Sequence, residues 1–241
     1  MSYQDRSYRS LIKDDGLESF RIVVKETDLL VRAERLLGNE TRDLILKHRL
    51  PLERYAGDYP DFLKILTPFP EDRFAPSIVR TMICAAQKAG VGPMAAVAGA
   101  IAEYVGKDLL AYSREVIVEN GGDIFINTSC PTTLAIFAGD SPLSNKLALR
   151  VDPRGRAMGV CTSSGTVGHS MSFGNADAIV VISESAALAD AAATAVGNSV
   201  SKKTDIATAV NIGKNIQGVL GLVIIIGAEL GVWGSVELVK L

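Results

Sequence analysis

Residues 159–170, GVCTSSGTVGHS, bring a cysteine, several hydroxyl side chains, three glycines and one of the chain's two histidines into twelve positions. Such a stretch can house a nucleophile beside its base, or a turn whose N–H and hydroxyl groups cradle a phosphate. A Ser–His nucleophile needs its base within hydrogen-bond reach and a third group to orient it. The strand–elbow–helix signature G-x-S-x-G is absent, since the chain reads Ser163-Ser164-Gly165. A Ser/Thr/Gly-rich turn offering donors to a phosphate is the more economical chemistry, and a polar loop at a strand end is the plain structural alternative. Cys161 has alternating neighbours and fits a packed thiol; a reactive one requires an electropositive setting.

Two other stretches carry chemistry-bearing residues. In ENGGD, Glu119 to Asp123, adjacent glycines reach conformations closed to other residues and expose N–H groups to an anion. The flanking acids suit a metal or ribose hydroxyls, while a hairpin turn with a polar tip explains the same letters. In SESAALADAAATAVGN, Asp190 and Thr194 stand four apart, on one face of a helix otherwise built of alanine. A carboxylate and a hydroxyl are hard oxygen donors suited to Mg²⁺, completed by carbonyl and phosphate oxygens. The competing explanation is a solvated Asp–Thr stripe, though solvated faces usually carry Lys, Glu and Arg. His48, among basic residues in ILKHRLP, is explained by helix-end electrostatics, and Trp233 by packing in the last hairpin.

The elements that must position these residues follow from periodicity and turn signals. FRIVVKETDLLVRAER reads as a β-hairpin about Glu26-Thr27-Asp28. Asn39 is placed to cap a helix, ETRDLILKHR, that Pro51 ends, and a connector with a short helix at 61–66 follows. PSIVRTMICAAQKAG and VGPMAAVAGAIAEYVG read as helices opened by proline and closed by Gly90 and Gly106. The alanines and Gly99 of the second leave room for close approach, with helix–sheet packing the simplest use. Strands are expected at 113–118, 124–127, TLAIFAG, KLALRVD, DAIVVIS, 219–226 and 232–239, and helices at 185–197 and 204–217. Short glycine-bearing turns between neighbouring strands imply antiparallel pairing and an α+β class. No internal boundary is readable, so residues 1–241 are taken as one unit.

Composition narrows the function classes. Nearly half of the residues are hydrophobic, enough for a sizeable core without staples. A net charge of −2 argues against a general nucleic-acid binder. Three irregularly spaced cysteines read as free thiols in a reducing compartment, and no Cys/His cluster resembles a zinc site. The polar N-terminus lacks a signal-peptide core, and the longest apolar run, at 218–228, is too short to cross a bilayer. A cytoplasmic protein with no membrane partner is therefore expected.

In order along the chain, GAIAEYV, ENGGDI, TSSG and ALADAAATAV resemble the ApbE-like superfamily, best known for FAD:protein FMN transferases. GVGPMAAVAGAIAE, ENGGDI, TSSGTVGHS and GVWGSVELV are similar to its UPF0280 group. The resemblance implies an ApbE-like fold of mixed and antiparallel sheets with packed helices. It further implies Mg²⁺ held by Asp190 and Thr194, and FAD lying by Gly121, Gly122, Asp123, Ser164, Gly165 and Thr166. His169 stands near the family histidine and is the candidate catalytic residue. The implied activity is flavinyl or phosphoryl-type transfer from a small phosphate-bearing ligand to an acceptor protein. FMN transferases carry a longer segment of His-His-Ile and Asp-Pro-x-Thr-Gly type where this chain has only TVGHSMSFGNADAIVVISESAAL. The UPF0280 group is also associated with sulfur assimilation, including homocysteine formation, which implies sulfide handling by Cys130 or Cys161. A non-catalytic ligand-binding scaffold is the third expectation.

Overall fold

The computed structural model describes residues 16–165 and 174–241. In chain order the elements are β1 (Glu18–Val24), β2 (Thr27–Ala33), α1 (Gly38–Asp58), α2 (Ser77–Ala89), α3 (Val97–Leu109), β3 (Val116–Asn120), β4 (Asp123–Asn127), β5 (Thr132–Ala135) and β6 (Leu147–Val151). They continue as β7 (Met158–Ser163), β8 (Ala178–Ser183), α4 (Ala186–Asn198), α5 (Ile206–Asn215), β9 (Val219–Ile226), β10 (Glu229–Gly234) and β11 (Glu237–Lys240).

Alternation along the strands explains how these elements stack. In β3, Val116 and Val118 face a core shared with the helices, whereas Ile117 faces a second core with Ile126 and Leu149. An eight-stranded antiparallel sheet, in the order β1-β2-β3-β4-β7-β8-β9-β10, therefore buries both faces. Helices cover one side, and a three-stranded sheet, β11-β6-β5, covers the other. The expected α+β class with antiparallel sheets is what the chain forms. Among the described residues no single helix is long and apolar enough to cross a membrane.

Several boundaries differ from the sequence expectation, each for a physical reason. The first helix is not capped by Asn39 or ended by Pro51: Leu37 is its N-cap residue and Pro51 lies inside it. Thr41, Ile45, His48, Leu52 and Tyr55 are buried at alternating spacings of four and three, so one inward stripe runs past the exposed proline. That packing outweighs the roughly 3 kcal/mol that an interior proline costs. His48 is thus mid-helix, with Nε2 2.8 Å from Asp108 Oδ2, and helix-end electrostatics do not account for it. The connector holds a 3-10 turn at Pro60–Leu63 rather than a helix over 61–66.

Gly90 does end α2, in a left-handed conformation at φ 72°. Gly106 does not end α3; it lies within it, where a Cβ would stand 2.1 Å from the Phe125 ring of β4. The strand expected over 232–239 is two strands. β10 pairs with β9, and after Gly234 (φ 82°) the chain crosses to the small sheet, where β11 pairs with β6.

Candidate functional site

The β3–β4 turn sets the first part of the site. Gly121 and Gly122 take φ of 70° and 111°, the paired positive values of a two-residue primed turn that glycine adopts without strain. ENGGD is thus the hairpin turn that its composition allowed, and the turn places Asn120 opposite Asp123. Both side chains lie on the helix-facing side of the sheet, since Phe125, two residues along β4, belongs to that core. Asn120 Nδ2 donates to Ala98 O at 3.1 Å, tying the turn to the first turn of α3. Asp123 pairs in register with Cys161 of β7, which sets its carboxyl beside the Cys161 thiol and the Thr162 N–H.

α4 supplies the second part. Ser185 caps it, accepting from the Leu188 N–H at 3.3 Å, and buried Glu103 of α3 accepts from Ser185 Oγ at 2.8 Å and the Ala187 N–H at 3.1 Å. A carboxylate over these unpaired amides stabilises the helix start. The alanines let α4 lie close against β7 and α3. At Gly99 an added Cβ would meet Ala186 O at 2.3 Å and Asp190 Cβ at 2.8 Å. The close approach foreseen at Gly99 is therefore between two helices, while Gly106 makes the helix–sheet contact.

Asp190 Oδ2 accepts the Gly99 N–H at 2.8 Å. Gly99 is the third residue of α3, so its amide has no partner within its own helix. Asp190 thus sits at the positive end of α3, and Thr194 follows one turn along α4, 9 % exposed. The expectation of a solvated stripe does not hold.

The end of β7 closes the site. Gly165 N–H donates to Ala176 O at 2.9 Å, and a Cβ there would meet Gly174 O at 1.9 Å. A Cβ on Gly174 would in turn meet Gly197 O of α4 at 2.0 Å. Ser164-Gly165 is thus held in a backbone-on-backbone contact between strand and helix. Thr166 and His169 lie outside the described residues. Gly92 lies against the backbone of Ile65, and the chain that follows joins the cluster at Ala98–Gly99.

The electrostatics centre on two carboxylates. Burial raises the Asp123 carboxyl above its ordinary range, opposed by the neighbouring Cys161 thiol and Thr162 N–H, and the Glu119 charge adds to the rise. Asp190 is raised well above its ordinary value, first by burial and then by the charge of Asp123, against the N–H groups of Gly99 and Ala98. Among the described residues no Lys, Arg or His pairs with either acid. Burial, then the same two acids, pushes the Cys161 thiol well up, and it donates to Ala186 O at 3.2 Å. It is a packed, protonated thiol. Cys130 is exposed beyond the far end of β4, about 14 Å or more away at strand rise, so the two thiols do not meet.

Sequence reasoning passed over Ser163. Its side chain lies on the helix-facing side, two residues after Cys161, 4 % exposed and with Oγ making no hydrogen bond among the described residues. The period of two in GVCTSS is the signal that marks it. A cleft of about 570 Å³ opens elsewhere, among residues that include Arg80, Cys84, Lys88 and Tyr104. It takes in none of the residues singled out for chemistry.

A family model described as AbpE bacteria matches residues 9–230. A UPF0280 protein of Methanococcus aeolicus is 41% identical over 227 residues, covering 91% of this chain and 92% of its own. The chain belongs to the UPF0280 family of ApbE-like proteins. A UPF0280 protein of Methanocaldococcus jannaschii is 40% identical at the same coverage. Among solved structures, the flavinyl transferase ApbE of Pseudomonas stutzeri in its apo form superposes with a TM-score of 0.56. It is 14% identical, over 90% of this chain and 94% of that one. The ApbE protein of Thermotoga maritima gives 0.57 at 12% identity, over 89% and 96%. At such identities these likenesses establish that the UPF0280 chain has the ApbE fold.

Proposed function

We propose that this UPF0280 protein binds a phosphate-bearing ligand of the flavin dinucleotide kind together with Mg²⁺, and transfers a flavinyl group to an acceptor protein in the cytoplasm. The observation that carries the reading is the pair of carboxylates, buried Asp123 and half-buried Asp190, which no cationic side chain among the described residues neutralises. A cation is the natural complement of such a pair. The donors fit Mg²⁺ in kind, since the Asp190 carboxylate and the Thr194 hydroxyl are hard oxygens. Mg²⁺ commonly takes one or two carboxylates and leaves the remaining positions to waters and phosphate oxygens. Asp190 and Thr194 are the residues that would hold it.

When bound, Mg²⁺ neutralises pyrophosphate charge and polarises a phosphoryl oxygen. The protein's own groups do the rest. The Gly121-Gly122 turn and Ser164-Gly165 present backbone close to the ligand, where a side chain would intrude, and Thr166 adds a hydroxyl. The acceptor's hydroxyl oxygen forms a bond to the phosphorus on the flavin side, the pyrophosphate bond breaks, and AMP leaves with its electron pair. The hydroxyl proton passes to a base, for which His169 is the candidate. The fold shared with the Pseudomonas stutzeri flavinyl transferase ApbE supports this choice of ligand class.

The test is incubation of the full chain with FAD, Mg²⁺ and a candidate acceptor, following AMP release and flavin fluorescence on the acceptor. Turnover that Asp190→Asn abolishes supports the reading. FAD binding without AMP release supports a scaffold, and absence of FAD binding sinks the proposal.

A further inference from the structure

We infer that Ser163 Oγ is an oxygen contact of the cation in this site, completing the set begun by Asp190 and Thr194. The inference rests on the reading of the site given above and adds a residue that neither the motif resemblance nor the helix pattern singles out. Three observations converge on it. Ser163 is 4 % exposed and its hydroxyl has no hydrogen-bond partner among the described residues. Buried hydroxyls are nearly always bonded, so an orphan on the face that carries Asp190 and Thr194 leaves a lone pair free for a ligand.

Its direction is set by the sheet. Cys161 and Ile179, the neighbours of Ser163 along β7 and across to β8, both belong to the helix-side core, so Ser163 faces α4. Its height along α4 follows from two fixed contacts. Gly159 is set against Ala186 at one end, and Gly165 reaches Gly197 through Gly174 at the other, so strand and helix run in the same sense. Cys161 stands beside Asp190, whose charge it feels. Two residues of strand advance about 6.6 Å, close to the roughly 5.4 Å of one helical turn. Ser163 is thereby carried from the level of Asp190 to that of Thr194. The hydroxyl joins a face already holding two carboxylates and a threonine, all oxygen donors.

An orphaned hydroxyl separates a ligand role from a structural one. Removing a hydroxyl that bonds nothing in the protein relieves an unfavourable burial, whereas removing a bonded one weakens the fold. The experiment is equilibrium Mn²⁺ binding to the full chain, read by the electron paramagnetic resonance of free Mn²⁺, together with thermal melts with and without Mn²⁺. Wild type, Ser163→Ala, Ser163→Cys and Asp190→Asn are compared; the cysteine variant keeps the volume and loses the oxygen. Both Ser163 variants are expected to bind Mn²⁺ about tenfold more weakly or worse. The metal-free melting temperature of Ser163→Ala should equal or exceed that of wild type.

Wild-type affinity in both Ser163 variants, with Asp190→Asn defective, overturns the Ser163 inference and leaves the reading of the site intact. A clear fall in the metal-free melting temperature of Ser163→Ala overturns it too, since the hydroxyl would then be bonded within the fold. If wild type itself binds no Mn²⁺ at millimolar concentration, the cation reading and the Ser163 inference fail together.

Discussion

Replacing Gly99 by alanine tests the contact on which the whole site is built. The new Cβ would lie 2.3 Å from Ala186 O, 2.7 Å from Ala186 C and 2.8 Å from Asp190 Cβ. Two of these atoms are backbone, so no rotamer change relieves them, and α3 and α4 must move roughly 1 Å apart. Overpacking of this kind costs about 1–3 kcal/mol. The separation also stretches the 2.8 Å Gly99 N–H···Asp190 bond, and a hydrogen bond to a charged group contributes about 1.5–3 kcal/mol. Against this, alanine gains up to about 1 kcal/mol over glycine in a helix. The net loss is about 3 kcal/mol, a fall of about 6–12 °C in melting temperature for a chain of this size. Calorimetry or circular-dichroism melts read the fall, and the Gly99 amide in hydrogen exchange reads its cause in wild type. A Gly99→Ala protein melting within about 2 °C of wild type would refute the close packing of α3 on α4.

Glu103→Ala leaves the Ala187 amide and the Ser185 hydroxyl without their acceptor; a loss of about 2 kcal/mol is expected in melts, with Glu103→Gln losing less. Gly57→Ala, in α1 with no atom within 4 Å of the added Cβ, should stabilise by about 0.5 kcal/mol, which urea unfolding can resolve. Burial lowers the His48 pKa, against the Asp108 hydrogen bond. The unfolded chain therefore binds the proton at a pH where the fold does not. Stability should be full above about pH 6.5 and fall as the pH drops through the lower folded value. His48→Gln should flatten that slope between pH 7.5 and 5.5, and a slope unchanged by the substitution would contradict the assignment.

How much of this was legible varied with the range of the controlling contact. The Gly121-Gly122 hairpin and the Gly90 helix stop could be read because the conformation lies in the residues themselves. The pairing of Asp190 with Thr194 could be read because helical spacing alone sets it. Pro51 and Gly106 misled because each is tolerated through distant packing: the inward stripe of α1 carries the first, and the Phe125 ring requires the second. Ser163 was hidden by its neighbour. Ser164-Gly165 drew attention as a motif, whereas strand alternation turns the hydroxyl before it toward α4. The Asp123–Asp190 pairing had no local trace, because β4 and α4 meet only once the sheet has formed.

The bonds that join the site have a consequence for how the protein is made. Asn120 reaches Ala98 across 22 residues and Asp190 reaches Gly99 across 91, whereas the β1–β2, β3–β4 and β9–β10 hairpins close through their own tight turns. Hairpins of that kind assemble in about 1–10 μs, while contacts of long sequence separation wait on the docking of whole elements. A chain caught midway through folding would hold its glycine turn but no second carboxylate beside it. In the proposed site metal capture would therefore come last, and cation uptake by a refolding population would clock the final docking of α4 rather than the earlier gain of secondary structure.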